Sequence, residues 1–247
     1  MTQTIVFVHG FMTTGDTFSE WVTFFEQRGY TCHAPTWVGH THNDAPEERA
    51  KITLSDVLKG YTELIDSLPE KPILIGHSLG GVIVQKLLEQ GYGSMAVCLT
   101  SGPPKGIAAF NKDWLVSNGQ MLNPLDKKPL VLMPPTWYHK YVTNEMSYEE
   151  TVAFMDQHCI ESSKLVAKSI GEDGVIDFTK PHPPILFIAG SKDRSQPAII
   201  NQKNHQAYTD AGSVCDYEEF AGRTHNIVRQ TGWEEVAGFI QEWITRH

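Results

Sequence analysis

The chain has 247 residues, of which 40% are hydrophobic and 20% are charged, and its formal net charge is −9 at pH 7. This length allows one large domain or a core with an insertion, and the composition is typical of a soluble globular protein. The negative charge argues against binding to nucleic acids or anionic membranes, and no apolar run is long enough to span a bilayer.

Strand and helix patterns alternate along the chain. The predicted strands cover 4–8, 30–34, 73–75, 96–100, 185–189 and 214–220. The first predicted helix begins with Asp16 as its cap, the second covers 53–68 and the third follows Ser78. Two further helices cover 195–209 and the residues from Trp233 onward. Such alternation predicts a mainly parallel central sheet with helices on both faces.

Residues 103–180 interrupt this rhythm. The segment contains repeated prolines and several short helical patterns, and it is too long for a simple connection between neighbouring elements. We therefore predict an α/β core formed by residues 1–102 and 181–247, with an inserted helical cap or lid over residues 103–180.

A serine motif follows the third predicted strand. The sequence GHSLG at 76–80 matches the G-x-S-x-G pattern, which holds a nucleophile on a strand-to-helix turn. The glycines leave room for strand and helix to pass closely, and the helix N-terminus directs free N–H groups at the charge that forms during acyl transfer. Ser78 is therefore the candidate nucleophile. The alternative is a tight turn whose serine only caps the helix.

A serine nucleophile needs a general base, and the base needs an orienting carboxylate. In a parallel α/β sheet these groups lie at the carboxyl ends of the strands. Among the eleven histidines, His225 fits best, because it lies in a glycine-containing loop just beyond the last strand. Asp193, in the turn after the strand at 185–189, is the candidate acid, and the alternative is a turn aspartate or a helix cap. The strand at 96–100 ends at Ser101 and offers no carboxylate.

An oxyanion hole requires two backbone N–H groups that face the developing negative charge. Leu79, directly after the nucleophile, is the candidate for one of them. The loop after the first strand should supply the other, with Phe11 as the first choice and Met12 as the second.

Taken together, these motifs resemble the α/β-hydrolase superfamily. The resemblance rests on HGF at 9–11, GHSLGG at 76–81, G-x-x-D-x-x-x-P at 190–197 and G-x-x-H at 222–225. It implies the α/β-hydrolase fold, a Ser–His–Asp triad and no metal or organic cofactor. More narrowly, the chain looks like the small esterase, lactonase and cofactor-free haloperoxidase branch with a helical cap. The superfamily often begins with two extra antiparallel strands, whereas the first strand here starts at residue 4, so we expect a sheet of about six strands.

The serine at position 78 also separates the chain from other members of the superfamily. Dehalogenases and epoxide hydrolases need an aspartate there, and a cysteine would suggest dienelactone hydrolases. The resemblance implies a carboxylic ester or lactone hydrolase for small to medium apolar substrates. The alternatives are a hydroxynitrile lyase-like enzyme, for which Lys105 is a candidate lysine, a C–C bond hydrolase, a receptor-like hydrolase that senses a ligand, and acyl transfer or perhydrolysis.

Large apolar side chains are frequent in the predicted cap. Most of them must bury the cap against the core, and some are expected to line an apolar pocket. The set consists of Trp114, Met121, Leu122, Met133, Trp137, Tyr138, Tyr141 and Met155. We expect Trp114, Trp137 and Tyr138 to form pocket walls from the cap side. Met12 and Trp37 are the candidate walls from the core.

The sequence HTHND at 40–44 resembles the start of the H-x-H-x-D-H zinc motif of metallo-β-lactamase-like lactonases. Ala45 stands where the final histidine would follow, so we expect no metal at this position and instead a loop at the pocket rim.

The four cysteines are widely spaced and form no C-x-x-C pair, which favours reduced, buried thiols in a cytoplasmic protein. The first residues lack a basic segment, so we also expect no secretory signal. The expected partner is a small-molecule ester or lactone, without nucleic acid or membrane. The protein is expected to be a monomer or a homodimer.

Overall fold

The computed structural model describes residues 3–107, 111–121, 123, 125 and 127–247. In chain order its strands are β1 (Thr4–Val8), β2 (Thr31–His33), β3 (Ile73–His77), β4 (Met95–Leu99), β5 (Leu130–Val131), β6 (Ser162–Ser163), β7 (Ile185–Gly190) and β8 (Cys215–Phe220). Six of them form the central sheet in the order β2-β1-β3-β4-β7-β8. All neighbouring strands of this sheet are parallel, as the sequence predicts. The short strands β5 and β6 pair separately in an antiparallel ribbon.

Helices cover both faces of the sheet. The helices in the described residues are α1 (Ser19–Glu26), α2 (Pro46–Arg49), α3 (Leu54–Asp66), α4 (Leu79–Glu89), α5 (Lys112–Met121), α6 (Pro135–Tyr141), α7 (Tyr148–His158), α8 (Lys164–Lys168), α9 (Ile170–Asp173), α10 (Ala198–Ala207) and α11 (Trp233–Arg246). Strand β1 shows why both faces need cover: Ile5 and Phe7 pack with α1 and α11, whereas Val6 and Val8 pack with α3 and α4. A parallel strand buried on both faces is therefore mainly apolar, as Ile5 to Val8 of β1 are.

Two predicted helix starts differ from the structure. Asp16 does not cap a helix but lies inside a 3₁₀ turn (Gly15–Phe18) that precedes α1, and its carboxylate is 3.1 Å from His158 Nδ1. The helix predicted over 195–209 is α10, which begins only after Pro197. The backbone N–H groups of Ser195 and Gln196 donate to the Asp193 carboxylate, and this holds the chain in a turn before the helix can start.

The segment between β4 and β7 contains α5 to α9 and the β5–β6 ribbon. Helices α6 and α7 form an apolar cluster with Met12 of the core. Helices α8 and α9 instead pack on α3, and Val166 of α8 belongs to the main core cluster. The predicted cap over residues 103–180 thus includes a stretch that packs as part of the core. None of the helices in the described ranges combines the length and apolar character of a membrane span.

All four cysteines are free thiols. Cys98 and Cys159 are buried, whereas Cys32 and Cys215 are only partly buried. Burial raises the pKa of the Cys159 thiol to about 12, so this group stays protonated at neutral pH.

Candidate active site

Ser78 lies at the tip of the turn between β3 and α4. Its φ of 55° and ψ of −118° are values that non-glycine residues rarely adopt. Close packing surrounds the turn: a Cβ on Gly76 would overlap the carbonyl oxygen of Gly80, and a Cβ on Gly80 would overlap that of Val8. The glycines of G-x-S-x-G are therefore required by the approach of strand and helix, and the turn holds the serine in a strained conformation.

The structure brings Ser78, His225 and Asp193 together. His225 Nε2 lies 3.0 Å from Ser78 Oγ, and His225 Nδ1 lies 2.8 Å from Asp193 Oδ2. Because a carboxylate only accepts hydrogen bonds, the proton of neutral His225 is on Nδ1 and the lone pair of Nε2 faces Ser78. His225 and Asp193 are only 4% and 6% exposed, so water competes little for these contacts. This arrangement can deprotonate the serine hydroxyl.

A backbone hydrogen bond joins the loop that carries Asp193 to the loop that carries His225. The N–H of Lys192 donates to the carbonyl of Arg223 over 2.8 Å. The Arg223 guanidinium in turn donates to the carbonyls of Thr231 and Gly232 and to the Glu235 carboxylate. The two loops leave the carboxyl ends of β7 and β8, which are neighbours in the sheet, so the topology places them side by side.

His77 contacts both the backbone and the ring of His225, a placement that the sequence did not indicate. Its Nε2 lies 2.8 Å from the backbone carbonyl oxygen of His225, and the two rings pack 4.9 Å apart. Since a carbonyl accepts, His77 Nε2 carries the proton. Burial and, to a lesser degree, the nearby His225 lower the pKa of His77 to about 3, so its ring is neutral at physiological pH.

The candidate oxyanion donors differ in their availability. The N–H of Met12, the second choice from sequence, donates to Ser162 Oγ over 2.8 Å and is therefore occupied. The N–H groups of Phe11 and Leu79 have no acceptor in the described part of the chain. Leu79 is the first residue of α4, where helix geometry leaves N–H groups free. Phe11 and Leu79 both border cavities that reach Ser78.

Two cavities meet at Ser78. The His225 cavity, of about 40 Å³, borders His225 and is lined mainly by Met12, Thr13, Trp137, Tyr138, Val142, Phe154 and Val228. The Trp114 cavity, of about 100 Å³, lies between α4 and α5 and is lined mainly by Leu79, Val82, Pro103, Trp114, Asn118 and Ile170. Phe11, Ser78 and Gln196 border both cavities. Ser78 therefore lies where two largely apolar spaces join.

Most predicted pocket residues line one of these cavities. Met12, Trp137 and Tyr138 border the His225 cavity, and Trp114 borders the other. Trp37 lines neither, which corrects the prediction: its ring stacks on His9 at 4.5 Å, and its backbone N–H donates to His9 Nε2. Of the other apolar cap residues, Met133, Tyr141 and Met155 pack within the cluster of α6 and α7, whereas Leu122 and the side chain of Met121 lie outside the described residues.

Two further residues at the site carried no signal in the sequence. Gln196 borders both cavities. Glu145, between α6 and α7, is exposed, but its carboxylate accepts hydrogen bonds from Thr224 Oγ1 at 2.8 Å and from Asn226 Nδ2 at 3.1 Å. These two partners stand on either side of His225, so the inserted segment contacts the loop of the base directly.

The zinc-like sequence at 40–44 does not assemble a metal site. His40 is buried and its Nε2 lies 3.2 Å from the Thr13 carbonyl oxygen, whereas Thr41 and Asp44 form an exposed turn. Burial lowers the pKa of His40 to about 4. In the described ranges, no group of three or more His, Cys, Asp or Glu side chains is arranged to hold a metal ion.

Comparison with known proteins places the chain in a family. A model of the alpha/beta hydrolase family matches residues 5–239. The chain belongs to the alpha/beta hydrolase family. Among curated relatives of this hydrolase, a pyrethroid hydrolase of Sphingobium wenxiniae is 31% identical over 85 residues, which cover 34% of this chain and 30% of that protein. The match therefore spans about a third of the relative's length.

Solved structures match over the whole of this hydrolase. Tomato methylketone synthase I, in a variant complexed with beta-ketoheptanoate, has a TM-score of 0.77 at 17% identity and covers 100% of this chain and 98% of its own. An Arabidopsis methylesterase has a TM-score of 0.77 at 16% identity and covers 100% of both chains. At such identities the likeness concerns the fold alone. It confirms the predicted α/β-hydrolase fold with a six-stranded parallel sheet.

Proposed function

We propose that this α/β hydrolase is a serine hydrolase that cleaves carboxylic esters or lactones of small to medium apolar substrates through an acyl-enzyme on Ser78. The observation that carries the proposal is the hydrogen-bonded series from Ser78 through His225 to Asp193, with distances of 3.0 and 2.8 Å. The apolar walls of both adjoining cavities support an apolar substrate. Relatives and structural neighbours named as pyrethroid hydrolase and methylesterase support the same reaction class.

The acylation step follows from the three side chains. As Ser78 Oγ attacks the ester carbonyl, His225 Nε2 takes its proton, and Asp193 stabilises the imidazolium that forms. The carbonyl oxygen becomes an oxyanion, for which the N–H groups of Phe11 and Leu79 are the proposed donors. The neutral state of His77 assists here, because a second positive charge 4.9 Å from the His225 ring would oppose formation of the imidazolium.

Collapse of the tetrahedral intermediate, in which the carbonyl re-forms and the ester C–O bond breaks, assigns the two cavities. His225 must return its proton to the leaving alcohol oxygen, so the alcohol group belongs in the His225 cavity. The acyl chain then occupies the Trp114 cavity, which adjoins the proposed donors Phe11 and Leu79. Water, activated by the same His225, attacks the acyl-enzyme and releases the acid and free Ser78.

The structure offers less support for a lyase that depends on a lysine. Lys105, the candidate lysine, is exposed and lines neither cavity. The described residues that line the two cavities include no lysine. Ester hydrolysis needs only the groups already assembled around Ser78.

The test is hydrolysis of a panel of short and medium p-nitrophenyl esters and lactones by the native chain and by Ser78→Ala. We expect turnover by the native chain and a loss of at least about 1,000-fold in the variant. Labelling by a fluorophosphonate probe reports separately whether Ser78 is nucleophilic. Labelling without turnover of any ester or lactone would contradict the substrate class. Full activity of Ser78→Ala would contradict the assignment of the nucleophile.

A further inference from the structure

Gln196 holds a fixed position beside the reacting serine. It is only 6% exposed, and it is one of three described residues that border both cavities. Its backbone N–H donates to Asp193 Oδ1 over 2.7 Å, so the residue is tied directly to the acid of the triad. Its side chain therefore starts from a well-defined point next to the substrate space.

The orientation of the Gln196 amide is determined by Trp114. The indole Nε1–H of Trp114 donates to Gln196 Oε1 over 2.9 Å. Because an indole N–H can only donate, this contact identifies which end of the amide is oxygen. The NH₂ end is left without an acceptor in the described part of the chain. The amide nitrogen of Gln196 is not fully buried, whereas Trp137 Nε1, which also has no partner, is fully buried.

Further contacts keep helix α5 and the loop that carries Gln196 together. The Arg194 guanidinium contacts the Asp113 carboxylate at 3.2 Å, and Asn118 Nδ2 lies 3.4 Å from the carbonyl oxygen of Ser195. Three successive residues of the loop are thus bound by one face of α5. The Trp114–Gln196 contact belongs to a built interface, which keeps the NH₂ group oriented.

A donor in this setting favours a ligand that can accept. The surrounding walls are mostly apolar, and a buried amide donor that finds no acceptor destabilises the bound state. A site with such a donor discriminates against analogues that lack the matching acceptor.

We propose that Gln196 is a specificity-determining residue whose side-chain N–H donates to a second oxygen of the ester, an ether, carbonyl or hydroxyl oxygen close to the reacting carbonyl. This deepens the proposed function and rests on ester hydrolysis at Ser78. Gln196 borders both cavities, so the acceptor belongs to the acyl chain or to the alcohol group. The two arms of the following experiment separate these sources.

The experiment compares ester pairs in which one CH₂ is replaced by an ether oxygen. In the acyl arm, p-nitrophenyl butyrate, pentanoate and hexanoate are paired with the methoxyacetate, 3-methoxypropanoate and 4-methoxybutanoate. In the alcohol arm, butyl butyrate is paired with 2-methoxyethyl butyrate. For each pair, the ratio of kcat/KM (ether over methylene) is measured for the native chain and for Gln196→Leu. Dividing one ratio by the other cancels the intrinsic reactivity of the esters.

We expect the ratio to fall about 3- to 10-fold in Gln196→Leu for at least one pair, which is the usual range for one neutral hydrogen bond. Trp114→Phe keeps an aromatic ring, smaller than the indole, but removes the N–H that orients the amide, so it should lower the same ratio by a smaller factor. Gln90→Leu, at an exposed position away from both cavities, is the matched control and should leave the ratio unchanged.

An unchanged ratio in Gln196→Leu for every pair of both arms would overturn the proposal. Since the native chain would still hydrolyse the methylene esters in that case, the proposed function would stand. If the native chain hydrolyses no ester of the panel, the proposed function fails, and the specificity proposal fails with it.

Discussion

Removal of the Glu145 carboxylate should lower kcat and leave KM nearly unchanged. Glu145 belongs to the inserted segment, and it accepts hydrogen bonds from Thr224 and Asn226 at 2.8 and 3.1 Å. These residues precede and follow His225, so Glu145 acts as a positioning residue for the base. In Glu145→Ala, the loop loses both contacts, and the base spends less time within reach of Ser78.

The size of the effect follows from the exposure of the partners. Hydrogen bonds to a charged group contribute about 1.5–3 kcal/mol when buried. Glu145 is exposed, and competition from water reduces each contact to about 0.5–1 kcal/mol. The loop also keeps other anchors, since the N–H of Asn226 donates to the Val142 carbonyl and Thr224 Oγ1 lies 3.3 Å from Gln230 Oε1. The total of about 1–2 kcal/mol corresponds to a roughly 5- to 30-fold decrease in kcat.

The assay combines kcat and KM on one p-nitrophenyl ester with the rate at which a fluorophosphonate labels Ser78. Both kcat and the labelling rate should fall by the same factor, and KM should change little. Glu145→Gln keeps one acceptor oxygen and should restore part of kcat. Glu149→Ala, an exposed carboxylate in the first turn of α7, is the control and should behave like the native chain.

Two outcomes would refute this reasoning about Glu145. An unchanged kcat in Glu145→Ala would mean that the remaining anchors suffice to position His225. An increase in KM with an unchanged labelling rate would mean that Glu145 acts on the shape of the substrate site instead.

Two stability predictions complete the set. Gly80→Ala adds a Cβ that overlaps the Val8 carbonyl and should lower the free energy of unfolding by about 1–3 kcal/mol or more. Gly238→Ala, in α11 with no atom within reach of the new Cβ, should raise the free energy of unfolding by up to ~1 kcal/mol. Urea titrations that rank the two variants in the opposite order would contradict this prediction. Burial holds the pKa of His40 at about 4 and that of His77 at about 3 in the folded chain, so the unfolded chain, with histidine pKa values of about 6.5, binds these protons first as the pH falls. Each of the two residues should lower the free energy of unfolding by up to about 1.4 kcal/mol per pH unit from pH 6.5 towards 4. His40→Gln can still donate to the Thr13 carbonyl and should flatten this decrease in denaturation curves recorded between those pH values; an unchanged slope would assign it to other groups.

Two physical constraints make much of this protein predictable from its sequence: local steric contacts, and the position of site residues at the carboxyl ends of parallel strands. The G-x-S-x-G turn can be recognised from sequence because its glycines are required by close contacts within a few residues of Ser78 and with the neighbouring strand β1. The alternation of strands and helices predicts a parallel sheet, and a parallel sheet collects loop residues at its carboxyl edge. The sequence alone therefore indicates Asp193 and His225 as neighbours at this edge of the sheet.

Long-range placement decided the rest. Glu145 and Thr224 are 79 residues apart in the chain, and Trp114 and Gln196 are 82 apart, so no local pattern links either pair. Trp37 follows a strand end, as a pocket residue should, but it packs on His9 and lines neither cavity beside Ser78. Composition and periodicity report which side chains are apolar and on which face they lie. Which donors remain unpaired, and which loops a cap helix contacts, depends on how distant segments meet, and that is a property of the tertiary structure alone.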